Sequence, residues 1–287
     1  MSVSIAISGK GGSGKTTVAA MIVRHLVERK AGTVLAVDAD PNSCLGLTLG
    51  LEPETTVAEI REQTLERKLD VSPGMSRERA FEYALHRAVA EARGFDLLVM
   101  GHPEGAKCYC AVNNLLRKYL DQATTDYAFV VIDNEAGMEH LSRRTTDSVD
   151  HLVVVTEPTA IGARTARRIL GLSERLPITV GHRSVLWNKV TEVRSAECGM
   201  RSEENNGASG DSVPFTPHSA LRTPHSQHSA LDLPVLGEVP FDQRVMDLST
   251  RGGTIGEIPT DNPAFRAVGD VTTKLIGSKL QVPGSKL

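Results

Sequence analysis

VSIAISGKGGSGKTT, Val3 to Thr17, is the stretch from which the fold of the chain is read. Its opening residues, Val3 to Ser8, are mostly apolar and read as a buried strand. The next six positions, Gly9 to Gly14, hold four glycines, and a helix begins at Lys15-Thr16-Thr17. Gly9, Gly14, Lys15 and Thr16 satisfy G-x-x-x-x-G-K-[ST], the spacing of a phosphate-binding loop. Glycine lets the main-chain N–H groups of Gly11, Gly12, Ser13 and Gly14 converge on phosphate oxygens. The helix opening at Lys15, Thr16 and Thr17 adds its positive N-terminal potential. Lys15 is expected to reach the β- and γ-phosphates, and the Thr16 hydroxyl to bind Mg2+. A glycine-rich turn between a strand and a helix also arises by chance. Here strand, loop and helix stand in the order that phosphate binding requires.

Outward from that loop, the chain alternates apolar runs with helical spacing. Val18, Ala19, Ile22, Leu26 and Val27 recur at helical period, and Thr33 to Val37 reads as a second buried strand. That strand delivers Asp38-Ala39-Asp40-Pro41-Asn42, two carboxylates at the carboxyl edge where ligands of such sheets bind. Pro53 to Arg93 is charged and reads as surface helices. Further strands are expected at Phe95 to Met100, Tyr127 to Ile132, His151 to Thr156, Val180 to Trp187 and Pro234 to Val239. The strand at Tyr127 ends in Asp133, the position at which a carboxylate enters a Mg2+ shell beside such a loop. Helices at Arg244 to Arg251 and Pro263 to Ile276 close the chain. Repeating strand–helix units imply an α/β fold: one doubly wound, mostly parallel sheet with helices on both faces.

The chain has 287 residues, 40% of them hydrophobic, enough for one large and mainly aliphatic core with only 4% aromatic residues. A formal charge of −3 offers no general reason to bind nucleic acid. There is no apolar run of about 18 residues, and the chain opens on a strand. Neither a membrane span nor a secretory signal is expected, which points to the cytoplasm. Four cysteines in such a chain favour reduced thiols, with metal binding ahead of disulfides.

Lys10 narrows the reading. GKGGSGKTT places a second lysine inside the loop, where an ordinary phosphate loop accepts almost any residue. The pattern resembles the deviant phosphate loop of the SIMIBI ATPases, the family of MinD, ParA, the nitrogenase iron protein and metal-cluster maturation ATPases. That resemblance implies ATP hydrolysis with Mg2+ and an ATP-controlled homodimer in which Lys10 crosses to the partner's nucleotide. It also implies that VDADP is the first switch, with Asp38 near Mg2+ and Asp40 positioning or activating the attacking water. Asp133 would open a second switch. Asn188 would hydrogen-bond adenine, and LGEVPFD, with Pro240 and Phe241, would wall it. An ordinary turn residue is the other reading of Asn188, but its strand-end position favours base contact.

Ala106-Lys107-Cys108-Tyr109-Cys110 carries two thiols one residue apart. Two thiolates can share Zn, Ni or Cu(I), but they are too few for a closed tetrahedral site. A second copy across a two-fold axis would complete four sulfurs. By themselves, two unremarkable thiols explain the pattern as well. The segments PEGAKCYCAVNNLLR and DNEAGMEHLSRRT are similar to those of CooC-type ATPases, which help load nickel into carbon monoxide dehydrogenase. The resemblance therefore implies one Ni2+ or Zn2+ per dimer at Cys108 and Cys110, and a carbon monoxide dehydrogenase type client. His140 is open to a metal-ligand reading, although a lone helical histidine is more often packed or capping.

One stretch breaks the rhythm. Thr191 to Leu233 is far longer than the usual connection of about two to six residues. TPHSALR is followed by TPHSQHSALDL, so a low-complexity insertion is expected over about 195–231, with a weak nickel reading for His218, His225 and His228. Residues 277–287 read as a flexible tail, leaving 1–276 as a single domain. A MinD-like membrane protein would end in a strongly amphipathic basic helix, and a ParA-like one would carry a basic DNA surface. Phe265 to Leu280 has only a modest apolar face, so no membrane is expected as a partner, and the formal charge of −3 argues against nucleic acid. An iron–sulfur scaffold is the third alternative, since thiolates also hold clusters.

Overall fold

Strands and helices alternate in the order set by the apolar runs. The computed structural model describes residues 2–65, 75–102, 122, 125–136, 148–175, 178–191 and 233–277. The strands are β1 (Val3–Gly9), β2 (Val34–Ala39), β3 (Ala90–Ala92), β4 (Phe95–Val99), β5 (Phe129–Ala136), β6 (Ser148–Thr156), β7 (Thr179–Val190) and β8 (Val235–Pro240). The helices are α1 (Lys15–Glu28), α2 (Cys44–Leu49), α3 (Val57–Leu65), α4 (Arg77–Ala88), α5 (Ala160–Ser173), α6 (Gln243–Arg251) and α7 (Pro263–Ile276). Cys108, Cys110, His140, the insertion at 195–231 and all of the tail beyond Gly277 lie outside the described residues.

The strands form one sheet in the order β3-β4-β2-β5-β1-β6-β7-β8, parallel throughout except for the β3–β4 pair. Period-two alternation divides the core into two layers. In β1, Ile5 and Ile7 face one layer with Met21, Ile22 and Leu26 of α1 and Phe265 and Val268 of α7. Ala6 faces the other, with Phe81 and Leu85 of α4 and Ala166 and Ile169 of α5. Parallel strands buried on both faces must be nearly continuous apolar runs, and IAI, VLAV and LVVV are of that kind. The doubly wound, mostly parallel architecture expected from the sequence is the one observed.

Two local features differ from the expectation. Ala90–Ala92 is an antiparallel edge strand that three residues, AEA, do not announce. The helices of 53–93 are also more than a surface covering. Phe81 is fully buried, and Val57, Ile60, Leu85 and Ala88 join it in the core. Their apolar spacing is masked by intervening charged residues, of which Glu59, Arg79, Glu82 and Arg87 face solvent while Arg61 is buried.

Phe81→Ala is expected to cost about 3–5 kcal/mol of unfolding free energy in urea titration, through lost burial and the cavity left behind. The neighbouring Tyr83 is 60% exposed. Its replacement by Ala is expected to stay within about 0.5 kcal/mol.

Candidate nucleotide site

β1 lies between β5 and β6, and its carboxyl end opens where connections depart to opposite sides of the sheet. There the loop from Gly9 to Gly14 turns back on itself, Ser13 N–H donating to the Lys10 carbonyl at 3.1 Å. Gly14 is the N-cap of α1 at φ 90, a left-handed conformation. A side chain there would also collide with the Asn188 carboxamide, so only glycine fits. No side chain caps the start of α1, and its first turn holds no acidic residue. The N-terminal amides and their positive potential are thus left for an external anion.

The loop forms one wall of a cleft of about 610 Å³, a volume suited to a nucleotide-sized ligand. Lys15, Thr16 and Thr17 line it, with Asp40 opposite. Asn188, Pro240 and Phe241 also reach it. Motifs separated by more than two hundred residues in sequence therefore meet in one space. Val245 and Met246 of α6 extend the apolar wall. Sequence reasoning passed over them because α6 reads as an ordinary closing helix.

Two carboxylates lie behind the loop. Asp38 and Asp133 are paired residues on adjacent parallel strands β2 and β5, and both are fully buried. Asp38 Oδ2 accepts from the Leu45 N–H at 2.7 Å and Oδ1 from the Asp40 N–H at 3.2 Å. Burial pushes its pKa up to about 6, against the pull of those two backbone donors. Asp133 differs: among the described residues no backbone amide reaches its oxygens, and the Thr16 hydroxyl is the group that lies against it. Burial raises its pKa to about 7, opposed by the adjacent Thr16 hydroxyl, reinforced by the Asp38 charge and opposed again by Lys15. A buried carboxylate beside a threonine hydroxyl and a lysine fits a Mg2+ shell.

Asp40 accepts from the Asn42 main chain at 3.0 Å and from its side chain at 2.8 Å, which fixes the turn after β2. Asn188 donates from Nδ2 to the Ser13 carbonyl at 2.8 Å, so its side-chain nitrogen already serves the loop. Phe241 N–H bonds the Val190 carbonyl at 2.9 Å, and Asp242 caps α6 through the Val245 N–H at 3.1 Å. Lys10 is exposed at the rim and does not line the cleft. Among the described residues no cluster of three or more His, Cys, Asp or Glu could hold a metal ion, and Cys44 is an exposed free thiol.

This geometry defines a phosphate-loop nucleotide site in a doubly wound sheet. Residues 4–255 match the CobQ/CobB/MinD/ParA nucleotide binding domain. The chain belongs to that family and is one of its ATPases. An uncharacterised ATP-binding protein of Methanocaldococcus jannaschii is 35% identical over 277 residues, covering 96% of this chain and 99% of that protein. The carbon monoxide dehydrogenase accessory protein CooC of Rhodospirillum rubrum is 34% identical over 190 residues, covering 62% of this chain and 72% of CooC. Among solved structures, the septum site-determining protein MinD of Pyrococcus horikoshii, complexed with Mg-ADP, shares the fold at a TM-score of 0.60 and 20% identity. That match covers 98% of this chain and 100% of MinD.

Asp133 binds its proton more tightly in the folded, ligand-free chain than in the unfolded chain, where its pKa is about 3.9. Stability of the ligand-free protein should therefore fall as pH rises from about 4 through about 7. Asp133→Asn is expected to stabilise the ligand-free chain near pH 8 by on the order of 1–3 kcal/mol, and to change little below about pH 5. Urea unfolding at the two pH values reads both effects.

Proposed function

We propose that the chain is a nucleotide-switched homodimer that uses ATP hydrolysis to bind and deliver a metal ion, nickel foremost, to a carbon monoxide dehydrogenase type enzyme. The observation that carries the nucleotide half is the convergence of the phosphate loop, Asp40, Asn188 and Phe241 on one cleft, with the buried Asp133 behind it. In this reading Lys15 holds the β- and γ-phosphates, while Asp40 orients the attacking water from the opposite wall. Asn188 and the Pro240-Phe241 segment receive the adenine, whose exocyclic amine can donate to Asn188 Oδ1. Thr16 and Asp133 would hold Mg2+, with Asp38 shaping the loop beside them through its two backbone hydrogen bonds. That ion supplies charge neutralisation between the β- and γ-phosphates. Lys10 completes the site of the opposite protomer, consistent with its exposure outside its own cleft.

The metal half rests on Cys108 and Cys110, and on the 34% identity to CooC. Two thiolates from each protomer would enclose one ion at the two-fold axis, so that nucleotide-driven closure opens or seals the metal site. Similarity in fold to MinD supports a second reading, a positioning ATPase. Against a membrane-lying role for α7, its apolar residues, Phe265, Val268, Val271 and Leu275 among them, are buried in the core. ParA-like partition and an iron–sulfur scaffold are the remaining outcomes of the test.

Metal content per dimer is measured with and without nucleotide, for the wild type and Cys108→Ser/Cys110→Ser. The expected result is about one tightly bound Ni2+ or Zn2+ per wild-type dimer and none in the double variant. Retention of the same metal by the variant would sink the shared-cysteine model, and charge-transfer absorbance after anaerobic purification would favour the cluster reading. Light scattering addresses the dimer: Lys10→Ala should lose ATP-dependent association, whereas Lys15→Ala should lose nucleotide binding itself.

A further inference from the structure

Consecutive residues of a strand point to opposite faces, yet Asn188 and Lys189 both grip the phosphate loop. Asn188 Nδ2 donates to the Ser13 carbonyl at 2.8 Å, and Lys189 Nζ donates to the adjoining Gly12 carbonyl at 2.7 Å. A backbone irregularity makes this possible. Lys189 has φ 58, one of three non-glycine residues with positive φ among those described, and the β7–β8 register shifts between Trp187 and Val190. A lysine in the left-handed region is held there by its surroundings, and such strain gathers at functional sites.

The same ammonium pairs with Glu157 Oε1 at 2.9 Å. Glu157 opens the turn between β6 and α5, where its carbonyl accepts from the Thr159 N–H at 2.7 Å and Thr159 caps α5 through the Gly162 N–H at 2.9 Å. Lys189 therefore ties the loop to a turn that is itself fixed.

We infer that Lys189, which itself lines the cleft, is a positioning residue that, with Glu157 as its anchor, holds the Gly12 carbonyl so that the Lys10–Ser13 turn stays closed and the loop keeps the shape that receives the phosphates. A peptide unit is planar, so fixing a carbonyl outward fixes the N–H of the following residue in the opposite direction. The bond from Lys189 to Gly12 thus directs the Ser13 N–H to the other side of the peptide, where it closes on the Lys10 carbonyl at 3.1 Å, so the turn is set before ligand arrives. No sequence motif announces this, because the effect depends on the sign of one φ angle. The inference rests on the phosphate-cradle reading of the site and specifies how that cradle is held.

Isothermal titration of ADP and of adenosine, with circular dichroism melts as the folding control, tests the brace. Lys189→Met should weaken ADP about tenfold, the scale of one charge-assisted hydrogen bond, and leave adenosine affinity unchanged. Lys189→Gly, which relieves the left-handed backbone but lacks the ammonium, should behave like Lys189→Met. Lys189→Arg should retain most of the ADP affinity. Equal losses for ADP and adenosine, or full ADP affinity in Lys189→Met and Lys189→Gly, would overturn the brace. A wild-type chain binding ADP no better than adenosine would overturn the phosphate-cradle reading itself, and the brace with it.

Discussion

A carboxylate sealed inside a protein with too few hydrogen-bond donors is costly, and Asp133, near the end of a central strand, has no backbone donor among the described residues, with the Thr16 hydroxyl beside it. The rest of the site is arranged around this charge. Parallel register sets Asp38 beside it, and β1, on its other side, leads into the loop that brings Lys15 and Thr16 close. On the proposed reading, the arrangement trades stability of the empty chain for a ready cation position. Asp38 escapes the same fate because two backbone amides of the following turn bind it. Two aspartates of equal burial therefore do different things. One shapes a loop and the other waits for a partner.

The phosphate loop shows the same division of labour in its backbone. The helix start that follows it is uncapped, while the Gly12 and Ser13 carbonyls are held by Lys189 and Asn188 and the Ser13 N–H closes on the Lys10 carbonyl. Pre-organising a loop in this way lowers the ordering cost of binding phosphate. It also connects the cleft to β6, β7 and the start of α5, so that changes at the phosphates have rigid elements to act upon.

Much of this was legible in the residue order. The glycines and Lys15-Thr16 announced the loop, and the apolar runs announced the strands because parallel strands buried on both faces leave little room for polar residues. Asp38, Asp40, Asp133 and Asn188 were recognisable from where those strands end. Other features were hidden for definite reasons. Phe81 lies among charged residues whose exposure disguises a buried stripe. Ala90–Ala92 is too short to show a pattern. Lys189 owes its position to a left-handed φ that a lysine does not advertise, and Met246 lines the cleft only because α6 folds back across the sheet end. The pairing of Asn188 with Ser13, 175 residues apart, is tertiary information alone.

The central claim is that Asp133 is left unpaired so that Mg2+ and nucleotide can bind together. ADP affinity measured with Mg2+ and with chelator, for the wild type and Asp133→Asn, tests it most directly. Mg2+ should tighten ADP about tenfold or more in the wild type and have little effect in the variant. An equal Mg2+ enhancement in both proteins would contradict the account.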